Sequence, residues 1–306
     1  MPQLPSYALI TPARNEAAFI ELTIKSMIGQ TYAPLKWIIV SDGSTDQTDE
    51  IVSRYIGSHP WIELVRMPER KERHFAGKVN AFKAGYERLS GLGVEIIGNL
   101  DADVSFEPKL FEFLIERMAE NPKLGVAGAP FREGGFQYDY RFSNIENVWG
   151  GCQLFRRECY EAIGGYMPLK GGCIDHVAVL SARWHGWQTR TFTENVCMHH
   201  RQMGTAVQGA LRAKFKLGAK DYTVGNHPAW ELARVIYQLK NRPAVLGGVS
   251  LGLGYLWSFV RRAEVPLSAE LVAFVQREQL ARLKKLLTRR TAAPARPITP
   301  AREVKS

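Results

Sequence analysis

Two rhythms alternate along the first 130 residues. Short apolar runs recur at YALIT (7–11), WIIVS (37–41), IELVR (62–66), VEIIGNL (94–100) and GVAGAP (125–130), each of strand length. Between them, apolar residues fall at helical spacing in NEAAFIELTIKSMIGQ, QTDEIVSRYIGS, KVNAFKAGYERL and PKLFEFLIERMAEN. Strand and helix in turn predict an α/β domain whose Rossmann-like sheet is mostly parallel and covered by helices on both faces. In such sheets, ligands bind beyond the carboxyl ends of the strands. Arg14, Asn15, Asp42, Asp101 and Asp103 all fall at those ends.

The rhythm breaks at about residue 131. The stretch FREGGFQYDYRFSNIENVWGGCQLFRRE is rich in glycine and aromatic residues and reads as irregular chain. Helical spacing returns over 205–241. AVLGGVSLGLGYLWSFV (244–260) is then 17 uncharged residues, bounded by Arg242 and Arg261–Arg262. That length is marginal for a membrane span, and the segment carries four glycines. SAELVAFVQREQLARLKKLLTRR (268–290) reads as a basic amphipathic helix, and 291–306 has the composition of a disordered tail. The expected organisation is a domain over 1–203, with a donor half to about 130 and an acceptor half over 131–203. A helical basic region over 204–290 and the tail complete it.

Charge sharpens this division. The net charge of +10 is unevenly spread: residues 201–306 hold 19 Lys+Arg against 6 Asp+Glu, whereas residues 1–200 hold 21 against 24. Basicity confined to one end, beside an apolar segment, suits an anionic membrane surface better than nucleic acid. No nucleic-acid recognition motif accompanies it. The expectation is a peripheral or monotopic contact at the cytoplasmic face of the cell membrane. Cys152, Cys159, Cys173 and Cys197 form no CxxC pair, which predicts reduced thiols in a cytosolic setting. The amino terminus has no basic segment leading into an apolar one, so no signal peptide is expected.

The candidate chemistry lies at the strand ends. Asp42, followed by Gly43 in a tight turn, would accept hydrogen bonds from a ribose or base, although a helix cap explains the same residues. Asp101 and Asp103 place two carboxylates directly after a buried run. Like charges so close are costly without a cation, and their hard oxygens suit Mg²⁺ or Mn²⁺, with a bound diphosphate completing the coordination. Lys78 stands where it would meet phosphate, yet GKVNA is no Walker loop. Asp175 precedes a helical pattern that ends at Gly186 and reads equally as a cap. His199 and His200 are adjacent, so at most one faces a common site.

Taken in order, TPARNE, DGSTD, GKVNA, LDAD, GGCQLFR and an Asp before a helix ending in HGW resemble family 2 glycosyltransferases over roughly 6–203. The resemblance implies a GT-A fold, a UDP- or GDP-linked sugar donor, a divalent metal and inversion at the transferred sugar. It implies donor contacts at Pro12, Arg14, Asn15, Glu16, Asp42, Gly43, Ser44, Lys78, Asn80 and Asp101. It also implies Asp103, with Asp101, as metal ligand and Asp175 as general base. His200 is the histidine assigned to the metal, and Trp149, Gly150 and Gly151 to the acceptor wall.

Two departures matter. The family's usual Glu-Asp at the base reads Ile174–Asp175 here, and the Gln-x-x-Arg-Trp motif of processive synthases is absent, the nearest stretch being RQMGT. Transfer of a single sugar to a glycan or lipid-linked acceptor, in cell-envelope or exopolysaccharide assembly, is therefore expected. A sugar nucleotidyltransferase and a catalytically silent membrane-surface module are the competing readings.

Overall fold

The computed structural model describes residues 4–69, 75–134, 136–137, 144–169, 171–201, 209–240 and 245–289. The segment 291–306, expected to be a disordered tail, lies outside them. The chain forms two compact units, Met1–Gln208 and Gly209–Ser306.

The first unit opens with β1 (Tyr7–Ala13), α1 (Ile20–Ile28), β2 (Lys36–Asp42), α2 (Thr48–Ile56), β3 (Ile62–Met67), α3 (Phe75–Glu87) and β4 (Ile96–Leu100). It continues with β5 (Val104–Ser105), α4 (Leu110–Glu120), β6 (Leu124–Gly128), β7 (Phe131–Glu133), β8 (Phe136–Gln137) and β9 (Cys152–Arg156). It closes with α5 (Arg157–Ala162), α6 (Ile174–Trp184), β10 (Gln188–Thr191) and β11 (Cys197–His199). Seven strands form the main sheet in the order β10-β6-β9-β4-β1-β2-β3. All neighbours run parallel except β9, which is antiparallel to both β4 and β6.

Period-two alternation decides which helices cover which face. On β1 and β2, Tyr7, Leu9, Trp37 and Ile39 turn to one side and pack with Ile20 and Ile24 of α1, Val52 of α2 and Phe111 of α4. Ala8, Ile10, Ile38 and Val40 turn to the other and pack with Phe82 of α3, Tyr160 of α5 and Val179 of α6. Both layers are buried, which is why these strands read as unbroken apolar runs.

The stretch from 131 is less irregular than its composition suggests. It contains β9, whose residues pair with β4 from Ile96↔Arg156 to Leu100↔Cys152. Five residues flanked by Gly150–Gly151 and by a helix carry no readable period, and their pairing is fixed by strands far away in sequence. A second small sheet, β5-β11-β7-β8, joins the end of the carboxylate segment to the end of the unit.

The second unit is helical: α7 (Ala210–Thr223), α8 (Pro228–Gln238), α9 (Leu246–Val260) and α10 (Ala269–Arg289). The expected helical stretch over 205–241 is thus two helices. Gly225 (φ 76°) turns the chain, and His227 caps α8 by accepting the Ala229 N–H at 3.1 Å, with Pro228 in the first turn. Glycines bring α9 onto α7: a Cβ on Gly254 would stand 1.9 Å from Phe215 O, and one on Gly218 1.9 Å from Leu251 O. No helix among the described residues is long and apolar enough to cross a membrane.

Candidate functional site: an acidic cluster at the carboxyl edge of the sheet

The loops that come after β1 and β2 are joined to each other. Asn15 adopts a left-handed conformation (φ 55°), and its Oδ1 accepts the Thr45 N–H at 2.8 Å. The Asn15 N–H donates to Ser44 Oγ at 3.2 Å, the Glu16 N–H to Thr48 Oγ1 at 2.8 Å and the Ala17 N–H to Asp46 Oδ2 at 3.0 Å. Gly43 (φ 66°) makes the turn after Asp42, which ends β2 and is 5% exposed. Pro12 lies opposite Val40 within the sheet, and Arg14 is half-buried where β1 ends.

Asp101 leaves β4 beside β9. Its N–H donates to Gly151 O at 2.9 Å, and its Oδ1 accepts from Lys78 Nζ at 2.5 Å and Asn99 Nδ2 at 3.1 Å. Asn99 also donates to Gly150 O. Burial works against the Lys78 ammonium, but the charges of Asp101, Asp175 and Asp103 outweigh it and hold the lysine above its ordinary range. Asn80, two residues further on α3, lies about 200° round the helix from Lys78. It is exposed and takes part in none of these contacts, so the structure does not bring it to the cluster as the GKVNA pattern suggested.

Asp103 is 7% exposed and is reached by the end of the unit. β11 pairs antiparallel with β5, His199↔Val104, and the His200 N–H donates to Asp103 O at 2.9 Å. This register sets His199 Nε2 3.5 Å from Asp103 Oδ2, while His199 Nδ1 meets Glu133 Oε2 at 3.2 Å. His200 projects the other way, its Nε2 2.8 Å from Ser105 Oγ and its ring over Phe19. The structure thus brings His199, and not the His200 expected from the sequence, beside Asp103.

Arg201 Nε donates to Asp103 Oδ2 at 3.2 Å, and its Nη2 to Glu16. Burial pushes the Asp103 carboxyl up, yet the His199 hydrogen bond and the charges of His199, Arg201 and Lys78 carry it below the usual carboxylate range. Burial pulls His199 down, but Asp103, Glu133 and Asp101 raise it above its ordinary value. Glu16 is pushed up to about 7, first by burial and then by Asp103 and Asp101, against the pull of Arg201.

Asp175 stands in the first turn of α6, after Cys173 in a left-handed conformation (φ 64°). Its Oδ2 accepts the Gly150 N–H at 3.1 Å. Gly150 is required there, because a Cβ would lie 2.5 Å from Asp175 Cβ and 2.7 Å from Oδ2. Buried Gln153 fastens the same corner: its Nε2 donates to Val148 O at 3.1 Å and Asp175 O at 3.5 Å, while its Oε1 accepts from Tyr166 Oη at 2.6 Å. Trp149 is half-buried against Phe131 and His199 and lies over Gly151, where a Cβ would stand 2.1 Å from Cζ2 of the indole.

The carboxyl edge thus collects Glu16, Asp101, Asp103, Glu133 and Asp175 around Lys78, His199 and Arg201. Sequence reasoning missed Glu133, Gln153 and Tyr166. A glutamine between apolar neighbours in CQLFR was the one available signal for Gln153. Glu133 reaches the site through pairing of β7 with β11, which leaves no local trace. The oxygens of Asp103 and Asp101 and the imidazole of His199 are donors of the kind Mg²⁺ and Mn²⁺ accept. Among the described residues no group of three or more His, Cys, Asp or Glu side chains is gathered closely enough to hold a metal alone.

An open sheet with helices on both faces, a lysine-paired carboxylate and a second strand-end carboxylate define a GT-A, nucleotide-diphospho-sugar transferase fold. Residues 8–167 match the model of glycosyl transferase family 2, and the chain belongs to that family. It is similar to the probable glycosyltransferase YdaM of Bacillus subtilis (strain 168), 29% identical over 153 residues, or 48% of this chain and 35% of that protein. It is also similar to the poly-beta-1,6-N-acetyl-D-glucosamine synthase of Staphylococcus epidermidis, 30% identical over 129 residues, or 42% of this chain and 29% of the synthase. The match thus spans about a third of the length of either relative. In fold, the chain resembles the mannosyltransferase PcManGT of Pyrobaculum calidifontis, solved in complex with GDP-Man and Mn²⁺. The TM-score is 0.57 at 20% identity, covering 94% of this chain and 81% of that one.

Proposed function

We propose that the chain is an inverting glycosyltransferase that moves one sugar from a nucleotide-diphosphate sugar, UDP- or GDP-linked, to a hydroxyl of a glycan or lipid-linked acceptor. The observation that carries this reading is the Gly150 N–H held on Asp175 Oδ2, which aims a carboxylate at the edge where Lys78 meets Asp101. The loops 12–16 and 42–48 form the donor's nucleoside side, with Asp42 accepting from the nucleoside. Lys78 and Arg201 supply positive charge toward its diphosphate. Asp103, His199 and Asp101 would hold Mg²⁺ or Mn²⁺, which when bound stabilises negative charge on the departing diphosphate. Phosphate oxygens of the donor would supply further ligands, since no three of the described side chains cluster closely enough to hold the ion alone.

In the reaction, Asp175 accepts the proton of the acceptor hydroxyl as that oxygen bonds to the anomeric carbon. The bond from the anomeric carbon to the phosphate oxygen breaks, and its electron pair leaves with the nucleoside diphosphate. One displacement inverts the anomeric centre. Trp149, Gly150 and Gly151 border the acceptor side, with the indole fixed by Phe131 and His199.

The test is a screen of nucleotide sugars with Mn²⁺, reading turnover and thermal protection together. A single donor is expected to give both, with release of nucleoside diphosphate. Asp175→Asn is expected to keep the protection and lose transfer. Pyrophosphate release would instead mark a nucleotidyltransferase, and undiminished turnover by Asp175→Asn would remove the base.

A further inference from the structure

Helix α9 has two unlike faces. Gly247, Gly248, Leu251, Gly254 and Ser258 are buried, with Gly254 against Phe215 of α7 and Gly248 against Val235 and Leu239. Leu246, Val249, Leu253, Leu256, Trp257 and Val260 are exposed, between 45% and 68%. At 100° per residue these six occupy an arc of about 100°, uninterrupted by any polar side chain. The glycines thus turn inward and the large apolar residues outward, the reverse of a helix that serves a soluble core. α8 packs alongside and exposes Leu232 at 61% and Ile236 at 54%. A continuous apolar stripe of this size is an interaction surface.

The basic helix α10 spends the first part of its apolar side internally. Leu271 and Val275 are buried, and Gln279 Nε2 donates to Asn226 Oδ1 at 2.6 Å. Near its end α10 exposes Leu280, Leu286 and Leu287 among basic residues, whereas the outward apolar face uninterrupted by polar side chains belongs to α9. Its 15 residues span about 22 Å, short of the roughly 30 Å of a hydrocarbon core, so it can lie in the interface but not cross it.

Charge identifies the occupant. Arg261 sets its guanidinium 5.0 Å from the Trp257 ring, and Arg262, Lys240, Lys284 and Lys285 are exposed in the same unit. An aromatic ring beside arginine at the border of an apolar stripe suits the headgroup level of a bilayer. The balance of 19 basic to 6 acidic residues over 201–306 favours anionic lipid and opposes a second copy of this chain, which would bring the same positive charge.

We propose that the exposed stripe of α9 inserts in the plane of an anionic lipid leaflet, with Trp257 and Arg261 at the headgroup level. The experiment is flotation of the full chain with vesicles of phosphatidylcholine alone or mixed with phosphatidylglycerol, at low and high salt. It requires no turnover, so its outcome is separate from that of the transfer assay. The wild-type chain is expected to float with the anionic vesicles, less so in high salt. Leu253→Glu/Leu256→Glu is expected to cut the bound fraction at least about tenfold without changing the circular-dichroism melt, both positions being exposed. Arg261→Glu/Arg262→Glu is expected to remove the preference for anionic over zwitterionic vesicles. Wild-type chain that stays in solution with both vesicle types would overturn the proposal. So would equal flotation of the Leu253→Glu/Leu256→Glu variant, or a dimer that the same variant dissociates.

Discussion

Replacing Gly150 by alanine tests the corner proposed to position the base. The new methyl group would stand 2.5 Å from Asp175 Cβ, 2.8 Å from Cγ and 2.7 Å from Oδ2, whereas carbon atoms pack at about 3.5–4.0 Å. Roughly 1 Å must be found. The loop is held by Asn99 on Gly150 O and by the Asp101 N–H on Gly151 O, so it yields little. Asp175 is held in turn by its helix and by Gln153 on its carbonyl. Because Cβ is among the crowded atoms, a rotamer change alone does not relieve the overlap. The start of α6 must move, at a cost of about 1–3 kcal/mol to the fold. A base misplaced by about 1 Å loses on the order of 100-fold in rate. With the donor found by the screen, Gly150→Ala is therefore expected to lower kcat about 100-fold while KM for the donor stays within about threefold. Nucleotide-dependent thermal protection is expected to persist. An unchanged kcat would refute the claim that this contact positions the base, and a parallel loss of donor binding would place Gly150 on the donor side.

With Asp103 proposed as metal ligand, Asp103→Asn is expected to abolish transfer without changing core volume; full wild-type activity in EDTA would remove the metal. A third prediction concerns pH and the helical unit, where Glu231 Oε1 is buried without a hydrogen-bond partner among the described residues. Burial first, then the charge of Asp221, raises Glu231 from 4.5 to about 7 against the pull of Arg234. The folded chain keeps a proton that the unfolded chain releases, so this contribution is full below pH 4.5 and lost as pH rises through about 7, at most about 3 kcal/mol. Urea unfolding at pH 5 and 8 is expected to show that loss in the wild type and not in Glu231→Gln, and equal slopes would contradict it. Gly254→Ala puts a methyl group against Phe215 O and is expected to destabilise the α7–α9 pair by about 3 kcal/mol, read by the same unfolding; a neutral effect would show that the helices can part freely.

The first half of the molecule is legible in the sequence because both layers of its sheet are buried, so each strand announces itself as an apolar run and each helix by its period. β5, β7, β8 and β11 are two or three residues long, too short to carry a period, and exist through partners far along the chain. That is why the choice between His199 and His200 could not be made from the sequence. It turns on the register His199↔Val104, and one residue of slip would exchange their faces. Asp42, Asp101 and Asp103 were visible because they follow apolar strand runs, and Asp175 because it opens a helical pattern. The counter-charges of Asp103, Arg201 and His199, arrive from nearly a hundred residues further on. In α9 Gly247, Gly248 and Gly254 fall on the opposite side of a helical wheel from Leu246, Leu253 and Leu256, but composition alone does not say which side the protein takes.

The reversed strand β9 has an effect on how the chain reaches its own reactive edge. A parallel strand delivers to that edge only the residues after its last rung, and the chain must then return through a crossover before it can do so again. Running the other way, β9 delivers the residues before its first rung: Gly150 and Gly151 arrive beside Asp101 as the strand begins, and Arg156 leaves at the opposite edge. The residues just before Gly150 are themselves fastened to the sheet: Ile145 O accepts the Thr191 N–H at 2.7 Å and Val148 O accepts from Gln153 Nε2 at 3.1 Å. One side of the carboxyl edge is thus built by chain that enters the sheet there, beside the carboxylates of Asp101 and Asp103 that leave it.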